Sequence, residues 1–571
     1  MSKTPTAADI SVTQTLQLLD TRFKTFAQGI ADGRYAFWLG SGISRGRFPM
    51  LEELIVKVLE YLRVRITVDD PNCSYREALA RALDNAALSA EERDQIDFAQ
   101  PVKKWLEIKR ITRTLSTNYS TFLNIRVGDE VNDILVWEGV DVAGTYGDDT
   151  VEPDAEHLCL AMMVREGIVD ELASANWDGL VEKATAAISN GNTSLVVCVK
   201  SEDLQNAQQK PKLLKFHGCA VRARNNENEY RPYIVGREAQ LASWSHEDKT
   251  KGIFSHLVTV ISERPTLMLG LSAQDFNIQH LFGKAEDTLA WQWPGERPSY
   301  VFSEEEVTDG QQSLLEIVYK GDYQGAKRTE IKGQSHIRAF AKPLLLALLF
   351  FSIAEKLGRL SKLADVSQDG MTEWIDNGLI ALRNDLATKG SCDHLAFASD
   401  LVEYVSRTRT LVTSGNDNGG SAVYQPITSR PASAIEADID MQANGLPEAA
   451  IAAAAIGNGI EQGLWTLEAP GNVIDRAGIA VVKSGKRETR LFVAASTHAA
   501  SMLFATGRVE LEDDAVLIHS KPIHYTQQRA PLKAPGRTGR LQIREVCVET
   551  LLEKNATPAA FLEQFKQETA L

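Results

Sequence analysis

The stretch Tyr35-Ala36-Phe37-Trp38-Leu39-Gly40-Ser41-Gly42-Ile43-Ser44 limits the folds open to this chain more than any other. Its first five side chains are apolar and leave no face for water, so the segment predicts a strand buried on both sides, as strands of parallel sheets are. Glycines at alternate positions then allow a tight turn, and after Pro49 a helical spacing runs from about Leu51 to Val64. Upstream, Leu16, Leu19, Phe23 and Phe26 predict an amphipathic helix from about Val12 to Ala31, broken at Asp32-Gly33. Strand, glycine turn and helix open a nucleotide-binding unit, so the fold class predicted is α/β with a Rossmann-like parallel sheet.

The alternation continues. A helix is predicted over Ala155 to Arg165, and strands over Asp170 to Ala175, Leu195 to Val199, Leu213 to Phe216 and Pro265 to Leu269. Three of these end at Asn176-Trp177-Asp178-Gly179, His217-Gly218 and Gly270-Leu271-Ser272. Carboxyl ends of strands are where open α/β sheets bind ligands. Between Leu79 and Tyr146 the chain has helical character (Val102 to Leu115) and reads as a structural insertion. Ala341 to Leu357 predicts a buried hydrophobic helix that closes the first domain, which divides the chain into residues 1–360 and 361–571. The second part reads as a separate α+β domain. Ser414 to Ala434 is a long loop rich in Gly, Ser, Asn and Pro, Ala449 to Ile456 is an alanine-rich helix segment, and Ile479 to Val482, Leu491 to Ala495 and Ala515 to Ile518 are strand-like.

Composition narrows the function classes. With 61 Lys and Arg against 76 Asp and Glu, a net charge of -15 argues against coating nucleic acid or anionic membrane by bulk charge. Cys73, Cys159, Cys198, Cys219, Cys392 and Cys547 form no close pairs, so neither a disulfide scaffold nor a Cys-x-x-Cys metal knuckle is expected. The polar start, Met1 to Thr15, has no arginine and carries Asp9, unlike a secretory or transit segment. The longest apolar run, Pro343 to Ala354, is short of the ~20 residues that span a bilayer. A soluble cytoplasmic protein without membrane contact is expected.

The chemistry-bearing residues stand at the strand ends. Glycines at Gly40 and Gly42 would let backbone approach a diphosphate, or serve a tight turn with no ligand at all. Asn176 can orient water or hold a ribose hydroxyl but cannot act as a base, and Asp178 can accept from an amide; equally, the pair could form an Asx turn that caps the next helix. His217 titrates near neutrality and can take a proton from a sugar hydroxyl, or be structural. Gly270, Ser272 and Asp275 could hold the adenosine side of a dinucleotide, or form another turn.

In order, Gly40 to Ser44, Pro153-Asp154-Ala155-Glu156-His157, Ser174-Ala175-Asn176-Trp177-Asp178-Gly179-Leu180, Lys215-Phe216-His217-Gly218 and Gly270-Leu271-Ser272 resemble the sirtuin NAD-binding domain over roughly residues 20 to 285. The resemblance implies NAD with its phosphates at Gly40, Ser41, Gly42, Ile43 and Ser44, Asn176 and Asp178 around the nicotinamide and its ribose, His217 as the base and His157 as a structural histidine. Sirtuin deacylases carry four zinc-binding cysteines after the His-Gly pair; here Cys219 is followed by no cysteine before Cys392, so no zinc is expected. An Asp-Phe-Arg sequence of the deacylases is replaced by Phe48-Pro49-Met50-Leu51-Glu52.

The pattern is therefore more similar to the sirtuin-like domains of bacterial anti-phage defence proteins. That resemblance implies an NAD glycohydrolase, with NAD as substrate, that acts in abortive infection and is gated by assembly. A homo-oligomer is expected, or a partner such as a short Argonaute, a HerA-type ATPase or a small nucleotide-processing protein. The rival readings are an NAD-dependent protein deacylase and a non-catalytic nucleotide-sensing scaffold. Finally, residues 521–544 carry Lys521, Arg529, Lys533, Arg537, Arg540 and Arg544 among prolines and glycines. This basic loop could touch a nucleic-acid backbone or an acidic partner, or simply be solvated surface.

Overall fold

Short apolar segments with alternating partners build the first domain. In the computed structural model, which describes residues 5–67, 69–191, 195–208, 210–286, 288–289, 297–364, 366, 369–390, 393–416, 423–443, 445–474, 478–509, 514–522 and 543–571, these segments form one parallel sheet of seven strands. The strands are β1 (Ala36–Leu39), β2 (Glu171–Ser174), β3 (Val196–Cys198), β4 (Lys212–Lys215), β5 (Thr266–Leu269), β6 (Tyr300–Ser303) and β7 (His336–Ile337), in the order β3-β4-β2-β1-β5-β6-β7. Side chains alternate between faces, as the two-residue strand period demands. Phe37, Leu39, Leu172, Leu267, Leu269 and Val301 join one core, and Trp38, Ala173, Leu214, Met268 and Phe302 the other. Helices cover both faces, which is why β1, β2, β5 and β6 are buried along their whole length.

The predicted helix over 12–31 is two helices, Val12–Asp20 and Lys24–Ala31. At the break the Thr21 hydroxyl donates back to the Gln17 carbonyl at 2.6 Å and the Phe23 amide to the Leu18 carbonyl at 2.9 Å, so Leu19, Phe23 and Phe26 still reach one core. Residues 79–146 fold into short helices packed on the helix Leu51–Val64, with Val58, Leu62, Leu79, Leu115, Phe122 and Leu135 in a core of their own.

The 21-residue helix Ala341–Ser361 is apolar nearly all round because it is buried nearly all round. Leu344 to Phe351 lie in the Phe37 core, and Leu360 in a further core, that of the C-terminal domain, with Ile451, Leu491 and Leu517. Its Lys356 ammonium, fully buried, donates to the Glu166 carboxylate at 2.6 Å and to the Thr428 carbonyl at 2.9 Å, while Tyr424 donates to the same carboxylate at 2.7 Å. That knot ties residues 424–428 of the long loop to the first domain.

The C-terminal domain holds a second sheet in the order β12-β11-β10-β9-β8, made of β8 (Thr466–Leu467), β9 (Ala480–Ser484), β10 (Arg487–Ala494), β11 (Ala515–His519) and β12 (Arg544–Cys547). β10, β11 and β12 run parallel, and β8 and β9 are antiparallel. The alanine-rich segment belongs to the helix Leu446–Glu461, which crosses the helix Met371–Lys389 so closely that a Cβ on Gly457 would meet the Gly378 carbonyl oxygen at 1.9 Å. Of the basic loop, residues 523–542 lie outside the described residues; Lys521 pairs with Glu448 at 3.6 Å. No helix among the described residues is long and apolar enough to cross a membrane.

Candidate functional site

Strand order reverses beside β1: β2, β4 and β3 lie on one side, β5, β6 and β7 on the other. The register aligns Leu39 with Ser174 and Leu269, so the turns after β1, β2 and β5 leave the sheet at one level. A crevice at such a switch point is the ligand site of open α/β sheets. Here it is a cavity of about 630 Å³, within the ~300–1,000 Å³ typical of ligand sites, lined by Gly40, Ser41, Gly42, Ser44, Asn176, Asp178, His217, Gly270, Ser272 and Asp275. Of the residues expected to touch the ligand, Ile43 alone turns away, into the core with Phe37 and Leu39.

The glycines have a reason visible in the backbone. A Cβ on Gly40 would meet the Gly270 oxygen at 2.3 Å, and one on Gly42 the Gly270 Cα at 2.5 Å; Gly270 itself sits at φ +58°. The two turns therefore touch backbone to backbone. Their amides are engaged as well: Gly40 donates to Leu269, Gly42 to Gly270 and Ile43 to Gly40. The turn itself, from Ser41 to Ser44, is a four-residue 3-10 helix, and at the start of the helix Leu51–Val64 the Met50 amide donates to the Glu53 side chain at 2.9 Å.

Asn176 donates from Nδ2 to the Gly40 carbonyl at 3.0 Å, which joins the first two turns and leaves its oxygen as the acceptor it can offer. Asp178 accepts from the Leu180 amide at 3.1 Å, capping the helix Leu180–Ile188, and from the Ser44 hydroxyl at 3.0 Å. Ser44 in turn lies 3.3 Å from His157 Nε2, while His157 Nδ1 accepts from the Asp154 amide at 3.0 Å. Burial holds His157 neutral, down at about 4, so its one ring proton sits on Nε2 and points to Ser44. The hydroxyl expected at a phosphate thus orients Asp178. Beneath the same turn, Lys215, almost wholly buried, donates to the Asp178 carbonyl and pairs with Glu182 at 3.0 Å.

His217 is buried, and burial lowers its pKa from the ordinary value. The Ala175 carbonyl accepts from the ring and Asn277 Nδ2 donates to Nε2 at 2.8 Å, so the neutral tautomer carries its proton on Nδ1. The basic lone pair is therefore covered by Asn277, and a ligand hydroxyl has to displace it. The next residue must be glycine: Gly218 has φ +94°, and a Cβ there would meet the Tyr233 oxygen at 2.5 Å.

Several wall residues escape sequence reasoning. Tyr119, Phe122, Val140 and Tyr146 of the helical insertion line the cavity, and the Tyr119 hydroxyl donates to Asp275 at 2.6 Å. Arg45, Glu156, Glu304, Lys342 and His394 line the cavity as well. His394 begins the helix His394–Ser414, whose Phe397 and Leu401 lie in the Phe37 core and Leu411 and Val412 in the core of the C-terminal domain. Among the described residues no group of three His, Cys, Asp or Glu side chains could hold a metal.

A family model described as SIR2-like domain matches residues 170–320, from the start of β2 to beyond β6. The chain thus carries a sirtuin-like domain, and β1 with its glycine turn lies ahead of the matched span in the same sheet. No curated protein matches the chain significantly. A sirtuin-like domain on a Rossmann-like sheet points to NAD-related chemistry.

Proposed function

We propose that the chain is an NAD glycohydrolase that cleaves NAD to nicotinamide and ADP-ribose and serves as an abortive-infection effector against phage. The observation that carries the reading is the meeting of an amide, a carboxylate and an imidazole, Asn176, Asp178 and His217, with the Gly40–Ser44 and Gly270–Ser272 turns around one cavity. In the reaction the bond between ribose and nicotinamide breaks, neutral nicotinamide leaves with the electron pair, and water adds to the ribose carbon with loss of a proton. The transition state resembles an oxocarbenium ion, so negative or polar groups beside the ribose lower its energy. Asp178, held by Ser44 and the Leu180 amide, grips the carboxamide. Asn176 offers its oxygen to a ribose hydroxyl or the attacking water. His217, neutral through burial, accepts a proton from a ribose hydroxyl once Asn277 gives way.

That displacement supports a quiet resting state released by assembly, either of copies of this chain or with a partner such as a short Argonaute, a HerA-type ATPase or a small nucleotide-processing protein. Incubating the full chain with NAD and with an acylated peptide, alone and in the complex captured from cells, separates the readings. Nicotinamide and ADP-ribose released in equal amounts without peptide support the glycohydrolase. Nicotinamide released only with the acylated peptide supports a deacylase, and intact NAD in every arm supports a sensor.

A further inference from the structure

The engaged amides of the glycine turn pose a question of charge. A dinucleotide brings a diphosphate with two negative charges, yet the amides of Gly40, Gly42 and Ile43 and the hydroxyl of Ser44 all have protein partners. Opposite charge is present on a neighbouring wall of the same cavity. Arg45 follows the turn, has no carboxylate partner among the described residues, and lies 5.2 Å above the Phe340 ring. At Phe340 the helix Ala341–Ser361 begins with no side-chain cap, and Ala341, Lys342 and Pro343 line the cavity with its amino end. Lys342 Nζ is 2.9 Å from Asp154 and 3.9 Å from Glu156 Oε2. Arg47 shares Asp154 at 3.1 Å.

Glu156 supplies the second observation. It is 5% exposed, lines the cavity, and its Oε2 is buried with no hydrogen-bond partner. Burial pushes the carboxyl up to about 8 against the pull of Lys342 and Arg47, with Asp154 pushing the same way as burial. Near neutrality it therefore keeps its proton, and that O–H is a donor lacking an acceptor. Burial opposes ionisation of Asp154 too, but hydrogen bonds from Lys342, the Ala155 amide and Arg47 hold it at about 2. Arg45 and Lys342 line the cavity and Arg47 stands behind Asp154, so with Asp154 ionised and Glu304 protonated this wall carries two positive charges, the complement of a diphosphate diester. Glu304, raised by burial to about 7 and faced by Arg45, trims that excess as pH rises.

We propose that Arg45, Lys342, the amino end of the helix Ala341–Ser361 and the Glu156 carboxyl form an anion subsite that holds the diphosphate of the ligand. Its assignment to a dinucleotide rests on the function proposed above; its chemistry, a pair of linked phosphates, rests on the wall residues alone. The glycine turn then gives the ligand room, and the charge is met beside it.

The test is calorimetric titration of the full chain with ADP-ribose, inorganic pyrophosphate and nicotinamide riboside, which lacks the diphosphate. Arg45→Gln, a surface change, is expected to weaken ADP-ribose and pyrophosphate by about ten- to a hundredfold, as for loss of one charge-assisted hydrogen bond, and to leave nicotinamide riboside unchanged. Glu156→Gln, which keeps a donor, is expected to lose less ADP-ribose affinity between pH 7 and pH 9 than the wild type, in which Glu156 ionises together with Glu304. Equal ADP-ribose and pyrophosphate affinity in wild type and Arg45→Gln would overturn the subsite. Binding of pyrophosphate but of neither ADP-ribose nor nicotinamide riboside, with the Arg45→Gln loss intact, would sink the proposed function and keep the subsite. No binding of either phosphate probe by the wild type would overturn the subsite, while the proposed function stands or falls on the release of nicotinamide from NAD.

Discussion

Replacing Asn277 with aspartate changes one group beside His217 and probes the imidazole directly. The Asn277 nitrogen sits 2.8 Å from Nε2, and Asn277 is 1% exposed. A carboxylate there would face an imidazolium at close range; two charges about 4 Å apart attract by about 4 kcal/mol at an effective dielectric of about 20, or about 3 pKa units. Burial of the new carboxylate takes part of this back, so a net rise of about 1–2 units is the expectation. The sign is upward, because the added negative charge favours the protonated ring. In the wild type burial keeps His217 below its ordinary 6.5, so NAD cleavage should hold down to pH 6.5 and fall only at lower pH. In Asn277→Asp the acid limb of kcat/KM should move up by about 1–2 units, with activity recovered at pH 8.5. An acid limb that stays put in a variant of native circular dichroism and melting temperature would refute His217 as the base and Asn277 as its partner.

Three further outcomes follow from other parts of the molecule. Glu156 binds a proton in the folded chain up to about pH 8 and in the unfolded chain only up to about 4.5, so folding loses stability as pH rises between those values; Glu156→Gln should be more stable than the wild type by about 3 kcal/mol at pH 7, with the gap closing near pH 4.5, in urea titrations. Lys356→Met strands the fully buried Glu166 carboxylate and should cost about 3–5 kcal/mol by denaturant unfolding, part of it regained in Lys356→Met with Glu166→Gln, and an unaffected single variant would deny the knot its role. Gly42→Ala forces a Cβ against the Gly270 backbone at 2.5 Å and should lower stability by about 1–3 kcal/mol and abolish NAD turnover; wild-type turnover would show that the two turns need not touch.

The polar floor of the cavity was legible in the sequence because each residue follows a short apolar run. Asn176 and Asp178 follow β2, His217 follows β4 and Gly270 follows β5, so the strand signal and the chemistry arrive together. Tyr119 and Asp275 meet across 156 residues of sequence, and Asn277 looks like any polar residue in the first turn of a helix; only the packing of the insertion and of the helix Phe276–Glu286 against the sheet gives them partners. Glu156 sits in a helix start where acidic residues are ordinary, and its burial comes from the distant helix Ala341–Ser361. The resemblance implies Ser44 at a phosphate; its hydroxyl also donates to Asp178, a contact between segments 134 residues apart that no local pattern announces. β7 spans two residues, too short for any periodicity to show, and β6, though as long as β1, runs into Glu304-Glu305-Glu306 with no glycine turn to mark its end. The order of the second sheet depends on pairing that no local pattern encodes.

The most direct measurement is the release of nicotinamide and ADP-ribose from NAD by the full chain, alone and in its native complex, with Asn176→Ala and His217→Ala beside the wild type. Equal release of both products by the wild type, lost in both variants while ADP-ribose binding persists, is the expected result. Intact NAD in the presence of the native complex, or cleavage at the wild-type rate by folded His217→Ala, would contradict it.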